Sequence, residues 1–164
     1  MDPLIDTFIR IGLAALLGGL IGLERVAAGK RAGSRTFALA AMGACLFVLV
    51  GMGAGSLYLG VVNFDPLRIL VSIIQGIGFI GAGLIILRDN SLHGLTTAAG
   101  LWVAAGVGAA TGFGFYAIAA FTTFVTLLIF TIMWRFEEWV RQRFAPLAIV
   151  DEHGPLDVPT HTGD

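Results

Sequence analysis

Glycines 76, 78 and 81 of the stretch Gln75-Gly76-Ile77-Gly78-Phe79-Ile80-Gly81-Ala82-Gly83 spell G-x-G-x-x-G, the spacing that cradles a dinucleotide pyrophosphate. That chemistry needs a strand before the glycines, a helix after them and an acidic residue about 20 positions on. Here the glycines sit inside an uncharged run, residues 69–87, and the acidic position is held by Leu101. The run has the length of one bilayer-spanning helix. In lipid, small residues three or four apart let a second backbone approach closely. Gly76, Gly78, Gly81 and Gly83 therefore read as a helix-packing ridge, with Gly18 and Gly22 serving the same purpose in an earlier apolar run.

The polar candidates are few. Asp6 and Arg10 lie four apart on one helical face and can pair, and Gln75 is the polar residue nearest the middle of its run. These three are the candidates for a polar pocket, with an interhelical hydrogen bond as the plainer role of Gln75. Asp65, with Asp2 or Asp6, offers oxygen ligands to a hard cation. Asp2-Pro3 and Asp65-Pro66 are, however, already explained as helix caps followed by proline, and no metal site is expected. Arg35-Thr36 and His93-Gly94-Leu95-Thr96-Thr97 open two apolar runs. Threonines there can cap helix N-termini, whose free N–H groups suit an anion, and Arg35 and Arg88 would strengthen such a site. Positive-inside topology is the plainer role of these charges, and the ligand such loops would take is a lipid headgroup phosphate or a regulatory partner. His153 and His161 stand in a polar tail without further metal-binding residues. No nucleophile–base pair, Cys/His cluster or phosphate loop occurs, so the sequence predicts neither an enzyme nor a cofactor, and no nucleic-acid partner.

The elements that carry these residues follow from composition. The chain has 164 residues, 57% hydrophobic and 13% charged, where a soluble domain has about 25% charged. Its 23 glycines fall mainly inside the apolar runs, where a soluble helix would be weakened by them. The single Cys45 excludes a disulfide framework. The acidic start argues for an uncleaved first helix. The spans are predicted at residues 3–23, 36–58, 66–87, 95–110 and 115–134. Residues 94–134 hold no Asp, Glu, Lys or Arg. As one helix they would extend about 60 Å, twice the hydrocarbon thickness, so the chain must turn back near Gly112-Phe113-Gly114. Residues 135–144 read as an interfacial amphipathic helix and 145–164 as a disordered tail.

The expected architecture is thus an all-α integral membrane protein of five helices, formed by residues 1–134. With the N-terminus outside, Arg25, Lys30, Arg31, Arg35, Arg88, Arg135, Arg141 and Arg143 fall on the inner side and only Arg10 and Arg68 on the outer. The positive-inside rule selects that orientation. An offset of 63 residues matches Asp2-Pro3-Leu4 with Asp65-Pro66-Leu67, Gly18 with Gly81 and Arg25 with Arg88. With the second loop two residues shorter, Thr36 then meets Thr97. The expectation is two parallel helix hairpins plus a fifth helix.

Gly22-Leu23-Glu24-Arg25, Gly33-Ser34-Arg35-Thr36, Asp65-Pro66-Leu67-Arg68-Ile69, the run Gly76 to Gly83, and Gly94-Leu95-Thr96-Thr97-Ala98-Ala99 with Trp102 together resemble the MgtC/SapB family of bacterial inner-membrane proteins. The match extends over most of residues 4–134. Departures fall at Phe37, where many members have His, at Thr96, where some have Asn, and at Ser72 and Gln75, whose order is exchanged. The resemblance implies a five-helix inner-membrane protein tied to low-magnesium adaptation and, in some pathogens, survival inside host cells. It also implies a regulatory rather than pumping role, and it adds Arg68 and Trp102 to the motif residues. Membrane lipids, a second copy of the chain or another inner-membrane protein are the expected partners. A small ion transporter or channel, with a path between the hairpins through Arg10 and Gln75, is the competing expectation. Relative to longer members, the expectation is a short form without their soluble C-terminal domain.

Overall fold

The computed structural model describes residues 2–30, 32–58, 65–88 and 91–144. It contains α1 (Pro3–Ala27), α2 (Ser34–Leu57), α3 (Pro66–Leu84), a two-stranded antiparallel hairpin of β1 (Ile86–Arg88) and β2 (Ser91–His93), α4 (Leu95–Gly112) and α5 (Tyr116–Phe144). All five helices are long and apolar enough to cross a membrane. The all-α, five-helix membrane architecture expected from the sequence is the one observed.

The local starts follow the sequence chemistry. Asp2 and Asp65 each cap their helix: a side-chain oxygen accepts from Leu4 N at 3.0 Å and from Leu67 N at 2.9 Å, with proline in the first turn. The turn from α4 to α5 closes as a left-handed glycine cap. Gly114 takes φ +84°, its N–H reaches Thr111 O at 3.0 Å, and Phe115 N–H reaches Ala110 O at 2.8 Å.

Several boundaries differ from expectation; α1, for one, runs on to Ala27 rather than ending at residue 23. The third span ends at Leu84 rather than residue 87, because the chain leaves the helix at Ile85 in an extended conformation and enters the β hairpin. The polar loop after it is that hairpin, pairing Ile86 with His93 and Leu87 with Leu92. The interfacial segment 135–144 is no separate element. It continues α5 without a break, since residues 134–144 contain neither glycine nor proline to stop a helix. The tail 145–164 lies outside the described residues.

The core is a seam of α1, α2 and α4. Helix α4 is the most enclosed span, touching all four other helices, while α3 and α5 lie outside it. Ile21, Phe37, Val48, Leu101 and Val107 are fully buried in the seam among small residues such as Ala41, Ala104 and Ala105. Two glycine pairs set its closeness. A Cβ on Gly18 or Gly22 of α1 would sit 2.6 Å from Ala41 Cβ or Ser34 Cα of α2, and one on Gly108 of α4 would sit 1.9 Å from the Ala41 carbonyl oxygen. At Gly112 it would meet Val48 Cβ at 2.8 Å. Both pairs have the four-residue spacing that lets membrane helices touch backbone to backbone. Helix α2 is gripped on both sides.

The sequence repeat recurs in space at two places. The two aspartate caps are equivalent, and Gly18 packs on Phe37 as its counterpart Gly81 approaches Ala98 Cβ at 3.8 Å, the position that the shortened offset assigns to Phe37.

Candidate functional site

Two polar groupings sit at opposite ends of the bundle. At the end where α1 and α3 begin, Arg10 Nε and Nη2 pair with Asp6 Oδ2 at 2.7 and 2.6 Å. Arg10 Nη1 donates to the Gly112 carbonyl at 2.9 Å, across the start of the α4–α5 turn. Tyr116 lends its ring to the guanidinium, 5.8 Å from the centroid, and its hydroxyl donates to Asp6 Oδ1 at 3.3 Å. Gly114 lies against this grouping, where an added Cβ would stand 3.3 Å from Arg10 Nη1. The grouping ties α1 to the α4–α5 turn and satisfies the charge inside the chain. Gln75 is not part of it. That side chain is exposed on α3 and makes no hydrogen bond among the described residues, so the expected Asp6–Arg10–Gln75 pocket is reduced to Asp6 and Arg10 with Tyr116.

At the basic end, where α1 finishes and α4 begins, a cavity of about 680 Å³ opens between α1, the β hairpin, α4 and α5. Arg25, Lys30, His93, Thr97, Phe130 and Trp134 are among its lining residues. Arg25 is only 3% exposed. Its Nε and Nη2 pair with the neighbouring Glu24, and its guanidinium carbon Cζ lies over the Phe130 ring, 3.6 Å from the centroid. A charge this deep needs both partners, because an uncompensated buried cation would cost several kcal/mol. The aromatic face contributes about 0.5–2 kcal/mol of the compensation. Phe130 reaches that position because residue 100 is glycine: a Cβ there would stand 2.5 Å from Phe130 Cζ. One glycine on α4 thus makes room for an aromatic of α5, which in turn floors an arginine of α1.

The helix start beside Arg25 is also specified locally. Gly94, at φ +88°, caps α4 with no side-chain hydrogen bond, and a Cβ there would lie 2.1 Å from the Leu84 carbonyl oxygen. Thr96 and Thr97 fall inside the first turn and do not cap it, contrary to expectation, and α2 likewise starts on an uncapped glycine, Gly33. Thr97 is buried on the cavity wall and Thr96 is exposed at it.

The remaining predicted residues lie apart from this cavity. Arg35 is exposed on the first turn of α2, with Thr36 half-buried beside it. Asp65 is engaged as a cap, and Arg68 is exposed one turn on, its carbonyl accepting from Ser72 Oγ at 3.0 Å. Trp102 is exposed on α4, against an apolar groove of about 420 Å³ between α3, α4 and the start of α5. The side chain of Arg88 lies outside the described residues. Gly18 and Gly22 pack as described and Gly81 makes an ordinary contact, whereas Gly76, Gly78 and Gly83 face open space, so within one chain most of the α3 ridge touches nothing. Among the described residues no group of three His, Cys, Asp or Glu could hold a metal ion.

Sequence reading missed Arg25 and Phe130 as a pair, having placed Arg25 beyond the end of the first span at residue 23. The available signal was the lack of any glycine or proline in residues 23–28, which lets α1 run on to Ala27 and places Arg25 in its last turn.

The MgtC family model matches residues 11–139, which takes in α1 from Ile11 on, α2 to α4, the grouping at the basic end and most of α5, while Asp6 and Arg10 lie just before it. The chain belongs to the MgtC family. Among its curated relatives, MgtC-family proteins in the MgtC/SapB sense, is the "Putative magnesium transporter YhiD" of Escherichia coli K12, 44% identical over 126 residues, covering 76% of this chain and 59% of that protein. Protein SapB of Bacillus subtilis is 40% identical over 149 residues, 89% of this chain and 62% of that one. Protein MgtC of Brucella abortus strain 2308 is 44% identical over 100 residues, 61% of this chain and 40% of that one. The chain therefore spans about three fifths of the length of the first two relatives. No solved structure matches it.

Proposed function

We propose that this MgtC-family chain is a non-enzymatic regulatory protein of the bacterial inner membrane, acting in adaptation to low magnesium or to membrane and energy stress. The observation that carries the reading is the α1/α2/α4 seam. Gly18, Gly22, Gly108 and Gly112 bring backbone against backbone through the middle of the bundle, while the ion pairs Asp6–Arg10 and Glu24–Arg25 sit toward its two ends. A cation pathway usually keeps ionisable groups facing a cavity near the midplane. The described residues offer instead a rigid scaffold with an open vestibule at its basic end. The excess of Lys and Arg at that end supports its placement in the cytoplasm, with the N-terminus outside.

The competing reading is ion transport, favoured by the name of the Escherichia coli relative. Reconstitution separates the two. Proteoliposomes carrying the full chain are expected to show no magnesium flux above empty liposomes, while the same gene restores growth and ATP level to a deletion strain in low magnesium. Magnesium flux that Gln75→Leu abolishes would establish transport and overturn the regulatory reading.

A further inference from the structure

The basic-end cavity holds unused hydrogen-bonding capacity at its buried wall. The other buried threonines, Thr111, Thr123 and Thr126, each return the hydroxyl to the carbonyl four residues back, at 2.8, 2.9 and 2.7 Å. Thr97 does not. It is 6% exposed, lines the cavity, and its hydroxyl has no partner among the described residues. Because every fully enclosed side-chain nitrogen and oxygen among the described residues is bonded, the unpartnered Thr97 hydroxyl is not fully enclosed, and Thr97 lines the cavity. The same reasoning applies to Arg25. Glu24 occupies Nε and Nη2, and Nη1 is left with no partner among the described residues. The first turn of α4, with N–H groups that no side chain caps, forms the adjoining wall. Donors from a hydroxyl, a guanidinium and a helix N-terminus thus line one cavity, and Lys30 adds a positive charge while Glu137 adds a negative one farther along α5.

We propose that this cavity binds a phosphate group, held between Arg25, the Thr97 hydroxyl and the N-terminal N–H groups of α4. Phosphate suits the site because it is an acceptor on all sides, matches the planar fork of arginine, and is favoured at a helix N-terminus. A polar end beside Phe130, Ile129 and Met133 also suits a phosphate carrying apolar chains. The ligand is therefore either the headgroup of a phospholipid or a soluble phosphate. The inference does not depend on whether the protein regulates or transports.

The test is direct binding to the purified full chain in a non-phosphate detergent. Three probes are titrated: inorganic phosphate, phosphatidylglycerol, and diacylglycerol of the same chains, which lacks the phosphate. Trp134, on the cavity wall, provides a fluorescence readout in a Trp102→Phe/Trp139→Phe background. Saturable binding of phosphatidylglycerol but not of inorganic phosphate identifies a lipid site, and binding of inorganic phosphate identifies a soluble ligand. Thr97→Val removes an unpartnered hydroxyl, so melting of the ligand-free protein is expected to hold while affinity falls roughly five- to tenfold. Arg25→Gln is expected to lose about tenfold or more. Arg35→Ala, off the cavity, is expected to bind as wild type. The proposal is overturned if diacylglycerol binds as well as phosphatidylglycerol, if neither phosphate probe saturates, or if Thr97→Val and Arg35→Ala bind alike.

Discussion

A methyl group separates the two kinds of glycine in this chain. At Gly108 it would be driven to 1.9 Å from a backbone oxygen of α2, which cannot rotate away, so Gly108→Ala must push the seam apart. The expected loss is about 1–3 kcal/mol or more, read as a lower unfolding temperature in detergent. At Gly76 the same methyl meets nothing within 4 Å, and alanine is the better helix former by about 1 kcal/mol. Gly76→Ala is therefore expected to leave the isolated chain's melting unchanged or raise it. The contrast also marks what the sequence could convey. Gly18-x-x-x-Gly22 and Gly108-x-x-x-Gly112 carry the same spacing signal, yet only the first was read as packing, because Gly112 beside Phe113-Gly114 looked like a turn. The ridge at residues 76–83 gave an equally strong signal and packs little within the chain. Spacing tells that a backbone can be approached, and it does not tell which backbone does so.

At the scale of elements, helix identity was legible and helix ends were not. Apolar runs located all five spans, and the Asp-Pro pairs fixed two starts to the residue. The basic end escaped because its geometry depends on non-local contacts: α3 stops early so that Gly94 can pass against the Leu84 carbonyl, and only then does α4 begin beside Arg25. Gly94→Ala tests that corner. The left-handed φ costs an L-residue roughly 1–2 kcal/mol, and the added Cβ collides with backbone besides. The expected outcome is a destabilised chain with increased protease cleavage in the hairpin. Helix α5 is tested by Arg135→Pro. If one helix runs through residue 135, proline there removes a backbone hydrogen bond and costs about 3 kcal/mol. At a junction between two separate helices it would be tolerated, and unchanged helix content and melting would argue for a break.

For the whole molecule, the open face of α3 is the feature a single chain leaves unexplained. Helix α3 is the least enclosed of the five spans, and Gly76, Gly78 and Gly83 on it make no close contact inside the chain. Each such glycine weakens the helix by about 1 kcal/mol relative to alanine, and in lipid only close approach of another helix returns that stability. The regulatory reading calls for such a partner, and the symmetric case is a second copy with α3 against α3. In a Cys45→Ala background, Gly78→Cys is expected to form a disulfide between copies in membranes under mild oxidation, whereas a cysteine at Leu16, exposed on α1, is not. Alanine at Gly76 would then separate the two roles of the glycine. It is expected to hold or raise the melting of the detergent-isolated chain and to lower the cross-linking yield, since the methyl that fits a lone helix keeps two helices apart. Equal yields from Gly78→Cys and Leu16→Cys would mean random collision, and would leave the α3 face to lipid or to a different inner-membrane protein.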